Sequence, residues 1–107
     1  MRKLITLSCV LLLTLSATIQ NNFPDLSRKE DLIKMGIGKI IEKDNSIIKK
    51  ITLAEIKDYW IIYLKDESLH DKAMESIKRI EFPESKWGRL KVEFPNNKPE
   101  VSFLTYN

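Results

Sequence analysis

His70 is the single histidine of the chain and sits in its densest polar stretch, Asp66-Glu67-Ser68-Leu69-His70-Asp71. A histidine among carboxylates is the raw material of a metal site or a general acid–base pair. The spacing works against both. Neighbours on a strand point to opposite faces, so His70 and Asp71 diverge, and His70 shares its face with Lys72 and Met74. Asp66 and Glu67 stand where a hairpin turn takes polar residues. One histidine without a cysteine partner needs several carboxylates to complete a zinc site. The calcium-loop pattern, acids at alternate positions followed by glycine, is missing. Ser68 is two residues from His70, but no Gly-x-Ser-x-Gly elbow presents a serine nucleophile. A small exported hydrolase using His70 with nearby carboxylates is therefore an alternative reading, not the main one. Glu81 with Glu84 or Glu93 has the chemistry for glycoside hydrolysis, but fifteen acids always offer such pairs.

Other possible kits also lack parts. Gly36-Ile37-Gly38-Lys39 has one residue between its glycines and Ile40 after the lysine, whereas a phosphate-binding loop needs four and then Ser or Thr. Neither a nucleotide nor any other cofactor is expected. Lys49-Lys50 with Lys57, and Lys78-Arg79, are short basic runs interleaved with acids, which reads as a mixed-charge solubilising surface and not a nucleic-acid site. Lys plus Arg number 18 against 15 Asp plus Glu, a net charge of +3; setting aside Arg2 and Lys3 leaves 16 against 15, or +1.

The aromatic residues are the better candidates. Tyr59, Trp60, Tyr63, Trp87, Phe94, Phe103 and Tyr106 are many for so short a domain. By alternation Trp60, Ile62 and Leu64 share one face of a strand, and Tyr59, Ile61 and Tyr63 the other. One face must be core; the second is either covered or an apolar-aromatic patch for a partner. Trp87, ahead of Gly88 in a loop, is either a binding anchor or a plug for the open end of a sheet. Tyr59, Trp60, Tyr63 and Trp87 are thus the expected binding residues.

The elements that must position them are mostly strands. Ser27-Arg28-Lys29-Glu30 fits a capping box opening a helix of two to three turns, with Leu32, Ile33 and Met35 as its apolar face and Gly36 as its stop. Strands are expected at 39–43, 47–53, 59–64, 69–74, up to Phe82 with Pro83 ending it, around Leu90, Val92 and Phe94, and from Val101 to Tyr106. Turns fall at 44–46, 65–68 and 95–99. Thr52-Leu53-Ala54-Glu55 also fits a capping box, so 53–58 competes between helix and strand. Tyr59 to Leu64 is apolar on both faces, as a central strand would be. The fold expected is mainly β to α+β: a small antiparallel sheet or partly open barrel with one short N-terminal helix.

That domain, 27–107, follows a linker at 21–26 and a leader at 1–20. Arg2 and Lys3 precede the apolar run Leu4–Leu15, and small residues cluster at Thr14, Ser16, Ala17 and Thr18, the order of a cleavable secretory signal. The span 4–19 is short for a membrane anchor. Cys9 lies inside it and is the only cysteine, so a cleaved product has neither disulfide nor thiol chemistry. The expectation is an exported, periplasmic or extracellular, non-enzymatic binding protein with a protein partner and no nucleic acid. A structural envelope component tethered through an uncleaved 4–19 is the membrane alternative.

Overall fold

The computed structural model describes residues 23–105. The expected leader at 1–20, residues 21 and 22 of the linker, and Tyr106 lie outside them. The described chain is mainly β: one short α-helix and seven strands that form a single antiparallel sheet, not closed into a barrel. Helix α1 spans Lys29–Lys34. The strands are β1 (Gly38–Glu42), β2 (Ile47–Ile56), β3 (Trp60–Lys65), β4 (Ser68–Ala73), β5 (Ile77–Ser85), β6 (Gly88–Glu93) and β7 (Glu100–Phe103). Their order across the sheet is β4-β3-β2-β1-β5-β6-β7.

Helix α1 ends as its sequence indicates. Gly36 takes φ +76, the left-handed stop that a Cβ disfavours. Its start differs from the expected capping box. The first capping residue is Arg28, without a side-chain cap; the Ser27 hydroxyl instead donates to the Asp25 carboxylate at 2.6 Å. The carboxylate that reaches back is Asp31, which accepts the Asp25 amide at 2.7 Å. Leu32 and Met35 face the sheet, whereas Ile33 is exposed, because the helix is too short to bury more than one narrow stripe. Phe23, Pro24 and Leu26, within the expected linker, lie on the domain: Pro24 is buried, Leu26 packs against the core, and the Phe23 ring sits 4.9 Å from that of Phe103.

β2 runs straight through the stretch that competed between helix and strand. Its first half pairs with β1 and its second with β3, as far as Ile56↔Ile61. Those backbone groups are therefore spent in ladders, which overrides the local capping pattern. Two bulges bend it. Lys49 and Lys50 together oppose Lys39, and Ala54 is the extra residue between Leu53↔Tyr63 and Glu55↔Ile62. Pro83 does not end β5. The strand continues to Ser85, with Pro83 and Glu84 bulged out opposite Arg89, a position where a missing N–H costs no ladder bond.

The bends curl the sheet around one core. Ile40, Ile51, Leu53, Ile61, Ile80, Phe82, Leu90 and Val92 are fully buried, together with Leu32 of α1, Met35 at its C-cap and Met74. Burying each such side chain stabilises the fold by about 1.5–3 kcal/mol. The curl is visible in one ion pair. Lys72 on β4 meets Glu42 on β1, although three strand spacings would hold those strands about 14 Å apart in a flat sheet.

Candidate functional site

β3 is an inner strand, but it lies one place from the edge and not at the centre. Its alternation is resolved accordingly. Ile61 and Tyr63 point into the core, with Tyr63 only 6% exposed. Trp60, Ile62 and Leu64 point outward, and Trp60 is 48% exposed. The pairs Trp60↔Ala73, Ile62↔Asp71 and Leu64↔Leu69 place β4 side chains beside them on the same face. Leu69 is 67% exposed. Trp60, Leu64 and Leu69 thus share one outer surface, and among the described residues β4 is an edge strand.

Tyr59 adds to this surface from its end. It is exposed and holds a left-handed φ of 67, unusual for a bulky residue, in the Lys57–Trp60 turn. The conformation is fixed from both sides: the Lys57 amide donates to the Trp60 carbonyl at 2.8 Å, and the Tyr59 carbonyl accepts the Met74 amide at 2.9 Å. Tyr59, Trp60, Ala73, Glu75 and Asn97 line a shallow depression there, and Asn97 is shared with a second depression reaching Leu26 and Pro99. Asn96 and Asn97 are also left-handed, in the β6–β7 connection, where asparagine tolerates that region.

Of the four residues expected to bind, the fold unites two. Tyr59 and Trp60 form the lip of one surface. Tyr63 is a core residue, so it is not available to a partner; its ring belongs to the inner face because Ile61, two residues earlier, does. Trp87 is half-buried against the core in the tight Lys86-Trp87 turn of the β5–β6 hairpin. Its amide donates to the Ser85 hydroxyl at 3.2 Å, and that hydroxyl donates to the Gly88 carbonyl. Trp87 therefore rests partly on the core, with the rest of its ring surface open. Leu64 and Leu69 join this surface without being among the expected binding residues. The signal that would find Leu69 is its register partner Leu64, which only the hairpin pairing supplies.

His70 lies on the edge strand, exposed, with its ring stacked on Tyr63 at 5.4 Å between centroids. Asp71 is on the opposite face, opposite Ile62, so the two do not converge. Among the described residues no group of three or more His, Cys, Asp or Glu side chains gathers to hold a metal ion. No helix among them is long and apolar enough to cross a membrane.

An ion-pair cluster lies elsewhere, around the buried Glu81. Arg79 donates from Nε to Glu81 Oε2 at 2.6 Å, and Lys39 Nζ lies 3.5 Å from Glu81 Oε1. Burial pushes the Glu81 carboxyl up, but the Arg79 hydrogen bond and the Arg79 and Lys39 charges outweigh it and hold the group below its ordinary value. Lys57 sits with Leu26 and Asp58 at the second depression, apart from Lys49 and Lys50. No family model, curated protein or solved structure matches the chain.

Proposed function

We propose that this is an exported, non-enzymatic binding protein that takes a protein partner on the outer face of the β3–β4 hairpin. The observation that carries the reading is the exposed run Trp60, Leu64 and Leu69 beside the free edge of β4. A large aromatic anchor flanked by aliphatic side chains supplies contact energy, and an open strand edge supplies main-chain hydrogen bonds in register. Tyr59, kept in a strained conformation next to Trp60, extends the anchor. Export is carried by the leader pattern of residues 1–20.

The test places a photo-crosslinking amino acid at Leu69 in cells that express the full gene, with the same probe at Ser102 on the opposite edge as the control. A discrete protein adduct from position 69 alone is expected. Trp60→Ala in the same chain should abolish it, with binding weakened at least about 30-fold, the scale of an anchor worth 2 kcal/mol. Tyr63→Ala should lower the melting temperature instead, by opening a core cavity worth about 3–5 kcal/mol. Adducts of equal yield at both edges, or an adduct indifferent to Trp60→Ala, would sink the reading.

A further inference from the structure

We propose that the face carrying Lys39, Lys49 and Lys50 is a second binding surface, which docks on an anionic lipid bilayer. The argument begins with alternation. Two consecutive residues of a regular strand point to opposite faces, so one of Lys49 and Lys50 would have to point inward. Both are exposed, while Ile48 and Ile51 on either side pack on or in the core. The bulge at Lys50 achieves this, and Lys50 adopts a left-handed φ of 57 to do it. A lysine has no side-chain means of easing that conformation, unlike asparagine or glycine.

The same bulge sets Lys49 and Lys50 abreast of Lys39 on the neighbouring strand. Like charges set side by side across a strand pair are destabilising. Lys39 alone has a carboxylate partner, Glu81; among the described residues none lies within ion-pair distance of Lys49 or Lys50. Lys65 brings a fourth ammonium to the place by donating to the Lys49 carbonyl at 2.7 Å. The bulge serves packing, since it lets Ile48 and Ile51 both face the core from three residues apart; the crowding of ammonium groups outside it does not.

Between these cations lies an apolar floor. Ile37, 58% exposed, and the bulged Pro83 line a shallow groove with the three lysines, and Glu84 is its only acid. Lysines around exposed aliphatic side chains suit an anionic, amphiphilic surface. A bilayer fits better than an acidic peptide. The four ammonium groups come from three strands, β1, β2 and β3, so they spread across the sheet as a headgroup layer does and do not follow the single line of an extended peptide. Ammonium groups are also mobile point charges, suited to a fluid headgroup layer more than to a shaped ligand.

The test is co-sedimentation of the protein recovered after export from cells expressing the full gene, with vesicles of phosphatidylcholine alone and of phosphatidylcholine and phosphatidylglycerol in equal parts. Lys49→Gln/Lys50→Gln is compared with Lys78→Gln/Lys98→Gln, which removes the same charge elsewhere. Binding to the anionic vesicles should weaken about fivefold for each lysine removed from the patch, about 25-fold for the pair. The control pair should leave it within about twofold, by the short reach of screened charges. Lys50→Gly relieves the left-handed strain, so it should weaken vesicle binding without lowering the melting temperature, which separates the surface from the fold. Equal losses from both lysine pairs, equal binding to the two kinds of vesicle, or binding to neither would overturn the proposal.

Discussion

Substituting Gly38 by alanine isolates what holds the centre of the sheet. Gly38 opens β1, between β2 and β5, with its carbon packed under the β5 backbone. A Cβ built there meets the Glu81 carbonyl oxygen at 2.6 Å and two ring carbons of Phe82 at 2.7 and 2.8 Å. Phe82 is fully buried and has no free direction in which to swing. Two effects oppose each other. Alanine restricts the unfolded chain and by itself stabilises by about 0.4–1 kcal/mol. Overpacking a rigid core costs about 1–3 kcal/mol, and more where the obstacle is backbone. The contacts fall below any ordinary separation, so the steric cost wins, leaving a net destabilisation of about 1–3 kcal/mol. In a domain of this size each 1 kcal/mol lowers the melting temperature by about 4–8 °C. Thermal unfolding followed by far-ultraviolet circular dichroism should thus show a fall of about 5–20 °C. Gly88→Ala is the informative comparison. Nothing lies within 4 Å of its Cβ, so only the positive φ of 107 opposes it, and about 1–2 kcal/mol is expected from backbone strain alone. A Gly38→Ala protein as stable as the wild type would refute the claim that close packing of β1 on β5 sets this position.

Two further outcomes follow from the same structure. Glu81 is held below its ordinary pKa in the fold, so its pairing with Arg79 and Lys39 stabilises the protein above the unfolded carboxyl pKa and fades as pH falls through the folded one. Glu81→Gln should therefore cost about 1–3 kcal/mol at pH 7, the worth of charge-assisted hydrogen bonds, and the gap to the wild type in urea melts should close as pH falls below the ordinary carboxyl range and through the lowered folded value; a gap independent of pH would count against the ion-pair account. Asp66 and Glu67 form the two-residue β3–β4 turn with φ of 52 and 65, both left-handed, so Glu67→Gly should raise stability by about 0.5–1 kcal/mol in the same melts, and a loss there would contradict the turn assignment.

Much of this architecture is legible in the residues. Turns at 44–46, 65–68 and 95–99 announce themselves through Asp, Asn, Ser and Pro, and the alternation of Leu90 and Val92 marks β6 without help. Tyr59 to Leu64 is legible as a strand, and the sorting of its two faces into Ile61 with Tyr63 and Trp60 with Leu64 is legible as well. Which face is core is not, because both are apolar. Pro83 misleads for a related reason: a proline stops a regular ladder but is accommodated at a bulge, and the bulge exists only once β6 is alongside.

What the amino-acid sequence determines by itself is local: the period-2 strands, the turn chemistry and the glycine that stops α1. What only the tertiary structure decides is relational. Among the described residues the strand order makes β4 an edge, and the β3–β4 register puts Leu69 opposite Leu64 on the face that carries Trp60. The sheet's curl sends Tyr63 and Trp87 toward the core. The bulge in β2 turns two adjacent lysines outward to stand next to Lys39. These depend on residues far apart in the chain becoming neighbours. That is a matter of pairing register and packing, which no local propensity contains.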